Sequence, residues 1–315
     1  MNNGKYDYQF VLDTKAVGRG DSSHAKILQQ VRPGTTVLEC GPGDGIMTRY
    51  LKEVLGCWIY ILEYDSDSFA HALSYADDGA CADLEQDVWM TLLTDASFDY
   101  ILYADVLEHL RDPLAVLQKM RRFLKPNGSV LLSVPNVANG DLIMNLLCDR
   151  FTYTPLGLLD NTHIHLFARY DLREMISAAG YYLAYETCTQ VPLFATEQGA
   201  FLPEEKRTNL RSALASHPTC NVYQYICRLA LTETQTISDV MEDADTGVFL
   251  PEARFYFDFG TGLSEKNRVN ARPSALPDGR LRYEAELPKD CIAVRFDPVE
   301  LRGCILRTMT VEIDG

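Results

Sequence analysis

The sequence predicts an α/β chain: a doubly wound, mostly parallel sheet over residues 1–235, followed by a small all-β, sandwich-like unit over residues 236–315. Three observations carry this. From Thr36 to Leu231 short apolar runs alternate with helical patterns, as parallel strands require, because their crossovers are helices. A glycine-rich turn separates the first of those strands from the helix that follows, a place where open α/β sheets bind ligands. From Ile237 onward the pattern changes to strands set between Gly, Pro and Asn turns with no helix among them.

Taken in order, Ser22 to Leu28 begins a helix, capped by Asp21 or Ser22. Thr36 to Cys40 is a buried strand and Ile46 to Leu55 a helix; Trp58 to Glu63 is again strand, and a helix starts at Ser66. Ser97 to Ala104 is strand, Pro113 to Leu124 helix and Ser129 to Val134 strand. Asp171 to Ala179 is a helix that Gly180 terminates, since glycine accepts the left-handed conformation at a helix end. Two further strands, Tyr181 to Tyr185 and Asn221 to Leu231, bracket an irregular stretch at 190–219, which is expected to be an insertion over one sheet edge. In the last part Ala253 to Phe259, Arg280 to Leu287, Ile292 to Phe296 and Ile305 to Ile313 are predicted strands.

Composition narrows the function. The 315 residues carry 29 Lys and Arg against 44 Asp and Glu, a net charge of −15 that is shared by both parts of the chain. Neither part offers the basic surface that tracks phosphates, so general nucleic-acid binding is excluded. The first ten residues are polar and no apolar run reaches the length of a membrane span, so a cytoplasmic protein without a span is expected. Nine cysteines, with no Cys-x-x-Cys pair, read as free thiols in a reducing compartment.

The turn Glu39-Cys40-Gly41-Pro42-Gly43-Asp44-Gly45 opens a helix, where glycines permit close backbone approach and unpaired N–H groups face a ligand. Glu63 ends the next strand, 18 residues beyond Gly45, where an acid can accept both hydroxyls of a ribose. A dinucleotide loop has the spacing GxGxxG and room for a pyrophosphate. Here the spacing is GxGxG behind an acid, Glu39, which repels a pyrophosphate and suits the ammonium of a methionine.

On these residues the chain, from about Tyr8 to Leu231, resembles the class I S-adenosylmethionine-dependent methyltransferases, with their Rossmann-like, seven-stranded, doubly wound sheet. The resemblance implies a cofactor site of Glu39, Gly41, Gly43, Gly45, Glu63, Tyr64, Asp83, Leu84 and Ala104. In it Asp83 falls where the family holds the adenine amino group, Tyr103-Ala104-Asp105 ends the fourth strand, and Leu124 to Gly128 is the turn before the fifth. The segment Ser22-Ser23-His24-Ala25-Lys26 is similar to one that flanks the cofactor in related enzymes, which adds His24.

Asp105-Val106-Leu107-Glu108-His109 stands at the carboxyl end of a strand; in a helix Asp105 and Glu108 would share a face, with His109 beside them. Two carboxylates and an imidazole form a mixed O/N set suited to a divalent cation. The segment is similar to the Glu-x-x-Glu-His of ubiquinone-biosynthesis and small-RNA 3′-end methyltransferases, which implies Mg2+ or Mn2+ on Asp105, Glu108, His109 and a histidine after the fifth strand, His163 or His165. Equally, Glu108 and His109 can simply cap and pack a helix. Asp160-Asn161-Thr162-His163 is similar to a lid segment of methyltransferases from bacterial polysaccharide gene clusters, and gives His163, with His109 and Asp105, as candidate catalytic residues.

These resemblances imply O-methylation of a sugar hydroxyl, in a glycan or a nucleotide sugar. Methylation of another small molecule such as a quinone precursor, and a non-catalytic cofactor-binding scaffold in a glycan-assembly complex, remain alternatives. The β-rich unit is expected to be a packing, dimerisation or glycan-binding module, with a glycosyltransferase or a downstream domain as partner. At about 80 residues it is short for a sandwich of roughly 100, and the strand running into Ile313-Asp314-Gly315 is expected to continue into a longer protein.

Overall fold

A computed structural model describes residues 20–204 and 219–233 continuously, with positions 17, 18, 207, 209, 214 and 217 nearby; in the last part it describes 253–260, 262, 267–271, 274–275, 281–286 and 288–297. Tyr8 and the predicted strand Ile305 to Ile313 lie outside the described residues. The chain divides into two units, 1–248 and 249–315.

In the first unit a short helix, α1 (Ser23–Leu28), precedes β1 (Thr36–Cys40), α2 (Ile46–Glu53), β2 (Trp58–Glu63), α3 (Ser66–Leu73), β3 (Asp78–Cys81) and β4 (Phe98–Ala104). Then come α4 (Pro113–Met120), β5 (Leu124–Pro135), α5 (Gly140–Leu146), α6 (Arg169–Ala178), β6 (Tyr182–Gln190) and β7 (Val222–Ala230). These seven strands form one sheet in the order β3-β2-β1-β4-β5-β7-β6. The first five are parallel and β7 runs antiparallel to both β5 and β6. Strand order reverses between β1 and β4, so the loops leaving their carboxyl ends diverge and open a cleft.

The alternation of a strand distributes the core over both faces. Leu38, Leu62, Ile101, Tyr103 and Leu132 pack on one face with Trp89, whose indole N–H donates to the Leu84 carbonyl at 3.1 Å. Val37, Ile59, Ile61, Leu102 and Leu131 pack on the other with α1 and α2. Glu39 shares that second face, and is thereby delivered to Thr48 of α2.

Some boundaries differ from the sequence reading. Asp78–Cys81 is an edge strand that the sequence pattern misses: Asp-Gly-Ala-Cys is half exposed and carries no apolar run. β5 begins at Leu124, inside the predicted turn, because Leu124 pairs with Phe98 before a register shift. The segment Asp105 to His109, whose residues would share a face only in a helix, forms a single 3-10 turn, Leu107–His109, behind an Asp105 at φ 55°.

The second unit contains β8 (Ala253–Asp258), β9 (Arg268–Ala271), β10 (Ser274–Ala275), β11 (Leu281–Arg282) and β12 (Ala293–Asp297). They form a three-stranded antiparallel sheet in the order β12-β8-β9 and a two-stranded ribbon of β10 and β11. Tyr256 and Phe257 are buried, and the Arg295 guanidinium lies 4.2 Å from the Tyr256 ring centre. No described helix is long and apolar enough to cross a membrane.

Candidate active site

The cleft at the carboxyl ends of β1 and β4 holds a cavity of about 310 Å³, lined among others by His24, Glu39, Gly41, Gly43, Ala104, Asp105, Glu108, His109 and His163. Residues of the implied cofactor set and of the implied metal set thus meet around one space, while Gly45, Glu63, Tyr64, Asp83 and Leu84 stand outside its lining.

The glycine loop has the backbone its composition allows. Gly41 and Gly45 have φ of 65° and 73°; a Cβ on Gly41 would lie 2.8 Å from Val106 Cγ2, and one on Gly45 2.9 Å from Ala72 Cα. Only glycine combines that conformation with that proximity. Glu63 steadies the loop, its carboxylate accepting from the amides of Gly43 (3.1 Å), Tyr64 (2.8 Å) and Asp65 (3.0 Å). Asp83 accepts from the Glu85 amide at 2.9 Å, and Ala82 N–H donates to the Glu63 carbonyl, which brings the two acids into register. Leu84 is buried and Tyr64 exposed. At the floor, buried Glu39 accepts from the Thr48 hydroxyl at 2.7 Å. Burial pushes its carboxyl up to about 7, against the opposing pull of that hydrogen bond. An acid poised at this value is ionised most readily when a cation arrives beside it.

Beyond the loop, the structure brings Glu108, His109 and His163 together, with one candidate ligand atom from each within 4.8 Å of the others. Glu108 is fully buried, and neither carboxylate oxygen receives a hydrogen bond from another described residue. Burial, and then the charge of Asp105, pushes its carboxyl well above the ordinary range. His163 Nδ1 lies 3.2 Å from the Leu158 carbonyl oxygen. A carbonyl can only accept, so Nδ1 carries the proton and Nε2 the lone pair, 4.0 Å from Glu108 Oε1.

His109 follows the same logic. Its Nδ1 sits 3.1 Å from both the carbonyl and the hydroxyl oxygen of Thr162, and that hydroxyl already donates to Asp160 Oδ1 at 2.6 Å. Nδ1–H is therefore the donor in this ring too. The two imidazoles meet edge to face, their centres 4.8 Å apart. A buried carboxylate without a donor beside two imidazoles whose Nδ1–H groups are anchored on backbone carbonyls is a donor set that fits a divalent cation.

Asp105 is not part of the cluster. Its carboxylate accepts from the Ser133 hydroxyl (2.9 Å) and from Gln224 Nε2 (2.9 Å to each oxygen), beside the cavity. His165 is also turned away, its Nε2 2.8 Å from the Arg111 carbonyl, while the amides of Ile164 and His165 donate to the Glu108 carbonyl and pin the segment 160–165 down. Sequence reasoning missed Thr48, Tyr223 and Gln224; the last two lie in β7, whose alternating pattern marks a strand but not which end faces a cleft.

Residues 19–186, more than half the chain, match the family model described as a methyltransferase domain. The chain belongs to this family. Methyltransferase domains of curated proteins are similar to it at low identity. A phosphoethanolamine N-methyltransferase 2 of Caenorhabditis elegans is 25% identical over 142 residues, 43% of this chain and 32% of that protein. A ubiquinone biosynthesis O-methyltransferase of Pseudomonas paraeruginosa is 29% identical over 106 residues, 33% of this chain and 45% of that protein. The match therefore spans less than half the length of either relative. Among solved structures, a SAM-dependent methyltransferase from Archaeoglobus fulgidus aligns with 71% of this chain and 99% of its own at 15% identity and a TM-score of 0.46.

Proposed function

We propose that the first unit is an S-adenosylmethionine-dependent O-methyltransferase whose acceptor is a sugar hydroxyl, in a glycan or a nucleotide sugar, presented with the help of Mg2+ or Mn2+. The observation that carries the reading is the buried, donorless Glu108 carboxylate flanked by His109 and His163 at the cavity that the glycine loop also lines. Glu63 and Asp83 would hold the ribose and adenine, Glu39 with the loop the methionine end, and His24 and Ala104 would flank it. Bound S-adenosylmethionine would supply a methyl group already activated on a sulfonium, and a cation on Glu108, His109 and His163 would lower the pKa of a nearby hydroxyl.

What remains for the chain is alignment and a proton. The segment 160–165 is fixed on the Glu108 carbonyl through the amides of Ile164 and His165, and its Asp160 and His163 line the cavity. Where His163 is not itself a ligand of the cation, its Nε2 lone pair is the group placed to accept the acceptor's proton; a lone pair given to the cation cannot also take it. The surrounding acids Glu39, Asp105, Glu108 and Asp160 favour a neutral acceptor such as a glycan over an anionic one, which makes a nucleotide sugar the less favoured of the two.

A second reading follows from the same carboxylate: without a cation, Glu108 is a counter-charge for the ammonium of an amine acceptor. Calorimetry with S-adenosylmethionine, then S-adenosylhomocysteine release with methyl glycosides, nucleotide sugars and ethanolamine, separates the cases. Sugar turnover abolished by chelator and by Glu108→Ala supports the first; chelator-indifferent turnover of an amine supports the second. Cofactor binding with no turnover on any acceptor leaves the scaffold.

A further inference from the structure

The stretch between β6 and β7 lies beyond the family match at residue 186, yet it touches the site through one side chain. Glu197 is half-buried, and its Oε1 accepts from the Leu158 amide at 2.6 Å while its Oε2 accepts from the Tyr223 hydroxyl at 3.0 Å. The contact is close enough to require glycine next door: a Cβ on Gly157, at φ 103°, would run into the Glu197 carboxylate. The stretch itself is anchored by buried Asp141 of α5, which accepts from the Phe194 amide (2.7 Å) and the Thr196 hydroxyl (2.6 Å). Asn145 adds a hydrogen bond to the Gln198 carbonyl at 2.9 Å. Leu158, the residue that Glu197 grips by its amide, is the one whose carbonyl receives His163 Nδ1–H.

We infer that Glu197 is a positioning residue: by holding the Leu158 N–H it restrains the residue whose carbonyl, one peptide on, receives His163 Nδ1–H, and so commits the His163 Nε2 lone pair to the Glu108 side. Asp141, Glu197, Leu158 and His163 form one chain of contacts from the insertion to the cluster. With the grip released, the 157–159 turn keeps the Asp160 amide to the Gly157 carbonyl, the Thr154 amide and hydroxyl to the Leu159 carbonyl, and the packing of Leu158 and Leu159 on Leu142, and loses the carboxylate that accepts from the Leu158 amide. The consequence for catalysis rests on the proposed function, whereas the assignment of the ring nitrogens does not.

The test is the tautomer of His163, read from long-range 1H–15N correlations of the ring in the full chain, with Mn2+ calorimetry as a second readout. In the unsubstituted protein Nδ1 is expected to be the protonated nitrogen. Glu197→Ala is expected to move both ring nitrogens toward the averaged shifts of a mixed population and to weaken Mn2+ binding about tenfold, the scale seen when an orienting partner of a ligand is lost. Glu197→Gln, whose amide oxygen still accepts from Leu158, is expected to keep the tautomer and stay within threefold. If Glu197→Ala does not fold, Gly157→Ala separates the same two groups. An Nε2-protonated His163 in the unsubstituted protein overturns the inference, as does a Glu197→Ala or Gly157→Ala protein with the tautomer unchanged. Failure of methyl transfer on every acceptor, with the tautomer behaving as expected, would strike the proposed function and leave this inference standing.

Discussion

Glu39 offers a perturbation whose size follows from its surroundings. The side chain is 3% exposed, and burial raises its carboxyl from an ordinary 4.5 to about 7. Below 4.5 the carboxyl is protonated in the folded and unfolded states alike. Between 4.5 and 7 the unfolded chain gives up the proton and the folded chain keeps it, so folding stability falls as pH rises, and the loss is complete above the folded value. That interval corresponds to about 3 kcal/mol at 1.36 kcal/mol per pH unit. Glu39→Gln retains an oxygen for Thr48 and has no such proton. Urea denaturation of both proteins without cofactor should therefore show the glutamine variant gaining on the parent by about 2–3 kcal/mol between pH 5 and pH 8. A difference that is the same at both pH values would refute a buried carboxyl with a raised pKa. The same reasoning extends to ligand binding. If S-adenosylmethionine brings its ammonium to Glu39, binding at pH 7 should release about half a proton, seen as a buffer-dependent calorimetric enthalpy.

Other outcomes follow from particular contacts. Gly45→Ala puts a Cβ against Ala72 Cα at a positive φ, whereas Gly34→Ala has φ 71° and open space. Thermal melts should show a loss of about 1 kcal/mol at Gly34, from backbone strain alone, and a clearly larger one at Gly45, together with weaker cofactor binding. Asp105→Asn should leave Mn2+ affinity within threefold, since Ser133 and Gln224 hold that side chain, while Glu108→Gln should reduce it by a hundredfold or more on calorimetry. Equal losses would return Asp105 to the ligand set. Glu186, buried on β6, accepts from Arg169 and Arg173 of α6. Glu186→Ala leaves two guanidiniums facing a vacated buried site and should destabilise the domain by about 3–5 kcal/mol in urea titrations.

The first unit was legible where apolar runs were long. β1, β2 and β4 are buried on both faces; their apolar runs identify them as central parallel strands, and the glycine turn between β1 and α2 marks the end of the sheet at which the cleft opens. β3 was not legible because an edge strand of Asp-Gly-Ala-Cys buries almost nothing. The site was legible as residue types and only in part as an arrangement. Glu108, His109 and His163 converge, but the choice between His163 and His165 depended on which backbone carbonyls receive each ring, and Asp105 left the cluster because its backbone adopts φ 55° instead of continuing into a helix. Tyr223 and Glu197 meet the lid through contacts that no local spacing encodes: Glu197 reaches Leu158 across 39 residues of chain.

The most direct measurement is S-adenosylhomocysteine formation by chelator-treated protein on a methyl glycoside with a vicinal diol, with Mn2+ withheld and then restored. Turnover that is absent without the ion, returns with it, and is missing in Glu108→Gln under both conditions is the outcome the Glu108, His109 and His163 cluster predicts. Turnover that proceeds equally with chelator present, or that survives in Glu108→Gln, would contradict it.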